Sequence, residues 1–256
     1  MEFALVKINS VYSTEKPTDY PLAFFINTKS MTKFFHLFAL ILLSSSCYAQ
    51  FELLQDSRVP GAPLQVSNSV EYSGSPYYIN EWSKGIVTFA NGQQVKDVDL
   101  RYNALEDHLE FQKDGNAFIL DPSKISGFEV RISGINHRFA NGLSVSGFSA
   151  AAFFRVIYQG KLSLLVKHTK YFANSPSASY GSSMYREIQS KDMTMILLSD
   201  GTTVPFKRTK KNLKDIFSSN FESIDQYMKK EGISLKEDSD LEKLFAFIDS
   251  LENQTK

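Results

Sequence analysis

Five dipeptides that end in glycine punctuate the chain between Tyr72 and Phe206, and they constrain its fold more than any other feature. They separate runs rich in β-branched and aromatic residues, and they are Asn91-Gly92, Asp114-Gly115, Asn141-Gly142, Gln159-Gly160 and Asp200-Gly201. Glycine adopts positive φ angles without a Cβ clash, and tight hairpin turns require such angles. The spacing therefore predicts a series of antiparallel hairpins.

The predicted hairpins can be tested by their pairing register, because residues opposite each other share a face of the sheet. Folding about Asp114-Gly115 sets Phe111 opposite Phe118. The other predicted pairs in this hairpin and in the Asp200-Gly201 hairpin are Leu109 with Leu120, Leu197 with Val204, and Met195 with Phe206. Each of the two hairpins is predicted to have one apolar face.

The hairpin about Gln159-Gly160 differs, since both of its faces are apolar. Its predicted pairs are Ile157 with Leu162 on one face and Phe154 with Leu165 on the other. A strand pair of this kind lies centrally in a sheet or is covered on both sides. We therefore expect another part of the chain to pack on its second face.

Two amphipathic stripes near the C-terminus are suited to that role. The first predicts one helix, which ends near Gly232, and its apolar residues are Leu213, Ile216, Phe217, Phe221, Ile224 and Met228. The second predicts a helix with Ser239 and Glu242 as a capping box, and its apolar residues are Leu241, Leu244, Phe245, Ile248 and Leu251. Helices this short need to bury their apolar stripes to be stable.

These patterns predict an α+β protein that is mainly β. The expected architecture is an antiparallel β-meander over residues 71–207, in the form of a hairpin-rich curved sheet or a partial barrel. A C-terminal two-helix hairpin over residues 208–256 is expected to pack on it. Residues 50–70 are predicted to be an N-terminal linker, and residues 1–30 a disordered, mis-assigned upstream extension.

Residues 31–49 have the pattern of a secretory signal peptide. Lys33 lies close to Met31, and an apolar run from Phe34 to Leu43 precedes a group of small residues. As a helix this run is about 15 Å long, roughly half of a bilayer core, which is too short for a permanent span. We therefore expect translation to start at Met31 and the mature chain to be exported, with no transmembrane span.

Two outcomes remain open at Cys47, the only cysteine of the chain. Cleavage between Ala49 and Gln50 would release the protein into the periplasm or the extracellular space, and the small residues at 47 and 49 fit that cleavage. Acylation of Cys47 would instead make an outer-membrane lipoprotein. Ser44 occupies the position where an anchoring signal usually has leucine, and it favours release.

The composition excludes several function classes. Of 28 basic and 28 acidic residues, four and three respectively precede residue 50, so the mature chain has a net charge near −1 and no field that attracts nucleic acid. It would also contain no thiol. The histidines His108, His137 and His168 have no metal-ligand spacing, and no nucleophile or phosphate-loop motif occurs. We predict no catalytic, cofactor-binding or metal-binding residue.

If the protein is an enzyme, one acidic cluster is its candidate catalytic site. Asp97 and Asp99 lie two apart on a predicted strand, so both face one side, and His108 follows among further acids. Paired carboxylates serve glycoside hydrolysis when they flank a cleft. The favoured interpretation is a solvated strand face offset by Arg101, with the alternate residues in the core. The core residues would be Val98, Leu100 and Tyr102.

Aromatic residues at the start of the predicted sheet are the candidate binding surface. They are Tyr72, Tyr77, Tyr78 and Trp82. Carbohydrate and peptide ligands stack on such side chains, and tyrosine is frequent at interfaces. The alternative is that these residues fill the rim of the core.

Several short motifs are similar to those of a group of exported β-rich proteins of Bacteroidota. They are Ser75-Pro76-Tyr77, Asn91-Gly92, Arg101-Tyr102-Asn103, Glu110-Phe111 and the ending "DLEKLFAFIDSL". The resemblance covers about half of the mature chain. It implies export and a β-rich fold with a helical tail, and it implies no activity.

The sequence as a whole predicts a non-catalytic protein of the cell envelope with a binding or structural role. Its partner would be a protein or a glycan at the envelope. Two alternatives stay open. One is a secreted hydrolase that acts on envelope or dietary polymers, and the other is a lipoprotein that docks on a partner complex.

Overall fold

The computed structural model describes residues 62–63, 72–174 and 186–251. The predicted extension 1–30 and the predicted signal peptide, with Cys47, Ala49 and Gln50, lie outside these residues. The described chain is mainly β, with helices near its C-terminal end, which confirms the predicted α+β class.

Twelve strands form one sheet in the described residues. They are β1 (Ala62–Pro63), β2 (Tyr72–Ser73), β3 (Ser83–Phe89), β4 (Gln94–Asn103), β5 (His108–Lys113), β6 (Asn116–Ile119), β7 (Ile125–Ile132), β8 (Ile135–Ala140), β9 (Phe154–Gln159), β10 (Ser163–Asn174), β11 (Arg186–Leu197) and β12 (Thr203–Pro205). Their order is β1-β6-β5-β4-β3-β7-β8-β9-β10-β11-β12, and all these neighbours are antiparallel. Strand β2 makes the sheet mixed, because it pairs in parallel with β11.

The part of the sheet that runs from β6 through β5, β4 and β3 to β7 is curled. The pairing register of these strands requires the curvature. The end of β6 at Ile119 lies level with Arg101 of β4, whereas β7 starts at Ile125, near the level of Gln93. In a flat sheet these ends would be about 30 Å apart, given roughly 3.3 Å per residue and 4.8 Å per strand. The connection 120–124 reaches only about 20 Å. Strands β3 to β7 therefore curve around a shared core within an open sheet.

The predicted hairpin about Asp114-Gly115 is confirmed. Phe111 pairs with Phe118, and the N–H of Leu120 donates to the carbonyl of Leu109 at 2.9 Å. Asp114 and Gly115 both have positive φ angles, of 50° and 77°. Two successive positive φ angles match the twist of the flanking strands in a two-residue turn.

Two predicted registers are wrong, because each of these hairpins has a three-residue loop rather than a two-residue one. Leu197 pairs with Thr203 instead of Val204, and Met195 pairs with Pro205. In the β9–β10 hairpin, Gln159 pairs with Ser163. The predicted pairs of Ile157 with Leu162 and of Phe154 with Leu165 are not formed in this hairpin. Asp249 accounts for the wider loop here, since its carboxylate accepts the backbone N–H groups of Lys161 and Leu162.

The predicted hairpin turn at Asn141-Gly142 is also wrong. Strands β7 and β8 turn at Ser133-Gly134, where both φ angles are positive. After β8 the chain enters an irregular segment, residues 141–153, in which the N–H of Gly142 donates to the carbonyl of Ala150 at 2.7 Å. This segment folds back on the sheet and buries Val145 and Ala152.

Strands β9 to β11 are covered on both faces, as the sequence predicted for the β9–β10 hairpin. One face packs on the helices through Ile157, Leu164 and Ile196. The other face packs on the segment 141–153 through Val156, Leu165 and Met195. A separate core within the curled part of the sheet contains the predicted inward residues Val98, Leu100 and Tyr102.

Three helices follow the sheet where two were predicted. They are α1 (Lys210–Ile216), α2 (Phe221–Glu231) and α3 (Asp238–Leu251), and a 3-10 turn at Ser218–Asn220 divides the first predicted stripe. Gly232 ends α2 in the left-handed conformation, as predicted. Helix α3 begins at Asp238, so that Ser239 lies inside its first turn rather than capping it. Among the described residues, each helix is too short or too polar to cross a bilayer.

Candidate functional site

A cleft of about 760 Å³ opens where the N-terminal end of α3 meets strands β8 to β11. Its apolar wall includes Ile135, Ile157 and Val166. Four basic and four acidic side chains also line it. Clefts of this size, with an apolar wall and a few convergent polar groups, are the usual form of a small-molecule site.

Two arginines meet one carboxylate at the centre of the cleft. Arg155 Nη1 on β9 donates to Asp238 Oδ2 at 2.6 Å, and Arg208 Nη1 donates to Asp238 Oδ1 at 2.9 Å. Arg208 Nε also donates to Thr194 Oγ1 on β11 at 3.2 Å. Asp238 is the first residue of α3, so this arrangement ties the helix to the sheet.

His168 extends this network on the sheet side. Arg155 Nε donates to His168 Nε2 at 3.0 Å, and His168 Nδ1 lies 2.9 Å from Asp192 Oδ1. Because an arginine N–H is always a donor, His168 Nε2 accepts, and the ring proton lies on Nδ1, where it is donated to Asp192. Both ring nitrogens are therefore engaged.

The arginines favour the charged form of two of the four carboxylates of the cleft, Asp238 and Asp192. Burial disfavours the ionised form of Asp238, but hydrogen bonds and charges from Arg155 and Arg208 outweigh it and lower the pKa of this carboxyl. A hydrogen bond from His168 lowers the pKa of Asp192, and both arginines add to that effect.

A second histidine, His137 on β8, lines the same cleft. Its Nδ1 lies 2.8 Å from the hydroxyl of Tyr78, whose ring centroid is 4.5 Å from that of His168. Burial lowers the pKa of His137, and the charge of Arg155 adds to the effect. Burial raises the pKa of Tyr78. Near pH 7 a neutral imidazole and a neutral phenol therefore face each other here.

We expect the substitution Asp238→Asn to destabilise the protein at pH 7 and to have a smaller effect in acid. The folded-state pKa of Asp238 lies below its ordinary value of 3.8, so its stabilising contribution is complete above that pH. The contribution is lost as the pH falls through the folded-state pKa. Urea unfolding of both proteins at pH 7 and across the acid range measures this, with Asp99→Asn as the control. A stability difference that is the same at every pH would contradict it.

Two of the predicted aromatic residues enclose an arginine of the same chain. The guanidinium carbon of Arg101 lies 3.7 Å from the ring centroid of Tyr77 and 4.2 Å from that of Trp82. Cations are attracted to the faces of aromatic rings, most of all to tryptophan. These two rings therefore hold an internal cation, and the stacking surface that the sequence predicted is already occupied.

A buried carboxylate holds Arg101 in that position. Glu110 Oε2 accepts from Arg101 Nη2 at 2.8 Å and from Nε at 3.2 Å, and Glu110 Oε1 accepts from His108 Nε2 at 3.0 Å. The side chain of Glu110 has no exposed surface. Burial opposes its ionisation, but the hydrogen bonds from His108 and Arg101 prevail and lower the pKa of Glu110.

The other two predicted aromatic residues lie elsewhere. Tyr78 follows Tyr77 in an extended segment beside the end of β4, so their side chains point to opposite sides, and Tyr78 packs on His137 and His168. Tyr72 is exposed on β2, where its ring contacts Phe172 edge to face. The structure thus brings Tyr77 and Trp82 together and separates Tyr72 and Tyr78 from them.

The acidic pair of the hydrolase hypothesis, Asp97 and Asp99, lies beside Lys84. Asp97 has a φ of 59° at an irregularity in the β3–β4 pairing, where strand alternation breaks down. Its backbone carbonyl and the carboxylate of Asp99 both accept from Lys84 Nζ, at 3.3 and 2.8 Å. Arg101, predicted to offset these acids, bonds Glu110 instead. In the described ranges, no three His, Cys, Asp or Glu residues cluster as a metal site.

The residues of the cleft were not identified from the sequence. Arg155, Asp192 and Asp238 are far apart in sequence, and the fold alone brings them together. Arg208 belongs to a short basic run, Lys207 to Lys211, which is an available but unspecific signal.

Comparisons with known proteins add no relative to these observations. No family model, no curated protein and no solved structure matches this chain. The resemblance to exported proteins of Bacteroidota therefore stays a prediction from its motifs.

Proposed function

We propose that this protein is an exported, non-catalytic binding protein of the cell envelope, and that the cleft beside α3 holds its ligand. The single observation that carries the proposal is the hydrogen-bonded network in which Asp238 of the cleft is held by Arg155 and Arg208. His168 supports this network behind Arg155, and both of its ring nitrogens are engaged in hydrogen bonds. In this arrangement His168 has no free lone pair with which to remove a proton from a ligand.

The network suits binding because it fixes polar groups before a ligand arrives. Arg155 is held by His168 and Asp238, and its side chain is only 13% exposed. Side chains that are already ordered lose little conformational entropy when they bind. The export part of the proposal rests on the signal-peptide pattern of residues 31–49. Intact-mass analysis of the exported product distinguishes cleavage at Ala49 from acylation at Cys47.

A hydrolase is the second candidate, because of one observation. His137 lies in the cleft, its pKa is lowered, and Tyr78 orients its ring. A neutral imidazole is able to act as a general base near pH 7. In this alternative His137, rather than Asp97 and Asp99, would carry the chemistry.

Native mass spectrometry with a small-molecule extract of the producing cells tests the proposal. We expect the wild-type protein to retain a compound and to release it with an unchanged mass. The substitution Ser239→Trp should abolish retention, because Ser239 lines the cleft on the second residue of α3. The matched control is Glu222→Trp, at the exposed second residue of α2. Retention that Ser239→Trp leaves intact would contradict the proposal, and a compound whose mass changes would favour the hydrolase.

A further inference from the structure

We propose that the cleft binds its ligand through a carboxylate group of that ligand, held between the free edges of Arg155 and Arg208. This inference rests on the proposed function, and it specifies the chemistry that the site recognises.

Each of the two arginines has guanidinium N–H groups that donate no hydrogen bond to the described residues. In Arg155, Nε and Nη1 are occupied by His168 and Asp238. In Arg208, Nε donates to Thr194, and Nη1 donates to Asp238 and to the carbonyl of Lys236. Within the described part of the chain, neither Nη2 has an acceptor. Each Nη2 carries two N–H groups, so these two atoms alone provide four donors without a partner.

Neither of these Nη2 atoms is fully buried. Among the described residues, the fully buried side-chain polar atoms without a partner are Asn141 Oδ1 and Thr203 Oγ1. The Nη2 atoms of Arg155 and Arg208 are not among them, although both side chains are largely buried, at 13% and 24% exposure. Both residues line the cleft. Their free edges are therefore reachable by a ligand that enters it.

Asp238 holds the guanidinium groups of Arg155 and Arg208 close to each other. Its two oxygens bind one arginine each, at 2.6 and 2.9 Å, so that both planar groups are fixed at a short separation. One Nη2 from each guanidinium supplies a charged donor for each of the two oxygens of a carboxylate. Three further acids of the cleft, Asp192, Glu237 and Glu242, oppose the accumulation of negative charge. This balance favours a singly charged carboxylate over a doubly charged phosphate.

NMR titration of the full exported chain with acetate, acetamide and inorganic phosphate tests the inference. We expect acetate to cause saturable shifts of the guanidinium resonances of Arg155 and Arg208. Acetamide, which has the same shape and no charge, should bind at least about tenfold more weakly, since a charge-assisted hydrogen bond is about twice as strong as a neutral one. Phosphate at equal ionic strength should also bind more weakly than acetate.

Lysine substitutions separate guanidinium geometry from charge. Arg208→Lys and Arg155→Lys keep the positive charge, and each should weaken acetate binding at least about tenfold, because lysine lacks the planar group that bonds Asp238 and also presents a second, fixed donor atom to the ligand. Arg131→Lys, at an exposed position on β7, is the matched control and should leave binding unchanged. Equal binding of acetate and acetamide, tighter binding of phosphate, or the absence of saturable shifts would overturn the inference.

The outcomes also distinguish the two proposals. If Ser239→Trp abolishes retention of a cellular compound while acetate binding is absent or equals that of acetamide, the carboxylate inference fails and the binding function stands. If Ser239→Trp leaves retention unchanged, the binding function itself fails.

Discussion

Replacing Phe245 by alanine is expected to lower the free energy of unfolding by about 3–5 kcal/mol, the range for deletion of a fully buried aromatic side chain. Phe245 on α3 has no exposed surface, and its ring contacts Phe206 at 5.7 Å and Phe217 at 6.3 Å between centroids. These contacts join α3 to the end of the sheet and to the end of α1. Urea unfolding followed by circular dichroism measures the change.

Phe172 provides the matched control for this substitution. It is also a phenylalanine, but 39% of it is exposed on β10. We expect Phe172→Ala to change stability by less than about 1 kcal/mol, since exposed positions have small effects. Similar losses for Phe245→Ala and Phe172→Ala would contradict the burial of α3 against the sheet. Because Asp238 is at the start of α3, Phe245→Ala should also weaken ligand retention in the cleft.

Replacing Glu110 by alanine is expected to cost about 3–5 kcal/mol at pH 7, because it leaves the largely buried guanidinium of Arg101 without its anion. Glu110 is fully buried, and the side chain of Arg101 is 17% exposed. The rings of Tyr77 and Trp82 would still contact Arg101, but contacts of this kind are worth only about 0.5–2 kcal/mol. Chemical denaturation measures the loss.

A double substitution separates the ion pair from the packing around it. Glu110→Ala combined with Arg101→Met should cost less than the sum of the two single substitutions, because the unpaired charge is then removed. Asp99→Ala is the surface control, and we expect a loss of no more than about 1 kcal/mol. Its partner Lys84 is 63% exposed, which leaves the pair well hydrated. Additive losses for Glu110 and Arg101 would show that the two residues act independently.

The sequence predicted those parts of the fold that depend on local chemistry. The hairpin about Asp114-Gly115 was correct because both turn residues adopt the positive φ angles that their types favour. The stripe of α3 was correct because its apolar spacing is regular, and Leu241, Leu244, Phe245 and Ile248 are all buried. In both cases, residues close in sequence determine the structure.

The errors arise where a distant residue decides the local structure. The β9–β10 loop is one residue longer than its Gln159-Gly160 dipeptide predicts, and Asp249 from α3 bonds its backbone. At Asn141-Gly142 the same type of dipeptide that forms hairpins elsewhere begins an irregular segment, which packs as a cover on β9 and β10. A turn signal specifies a change of direction, but not which strand comes next.

The candidate site was beyond prediction for the same reason. Arg155, His168, Asp192 and Asp238 come from three strands and a helix, and no spacing in the sequence links them. The aromatic residues were visible because they are neighbours in sequence. Proximity in sequence did not predict that Tyr77 and Tyr78 lie on opposite sides of one segment. Tyr77 contacts Arg101, and Tyr78 contacts the histidines on the other side.

The most direct test of the binding function is an NMR titration of the isotope-labelled protein with the small-molecule extract of the producing cells. We expect the chemical-shift changes to concentrate at cleft residues such as Arg155, Thr194 and Ser239, and the bound compound to be recovered unchanged. Shifts confined to Tyr77 and Trp82, or recovery of a converted product, would contradict it.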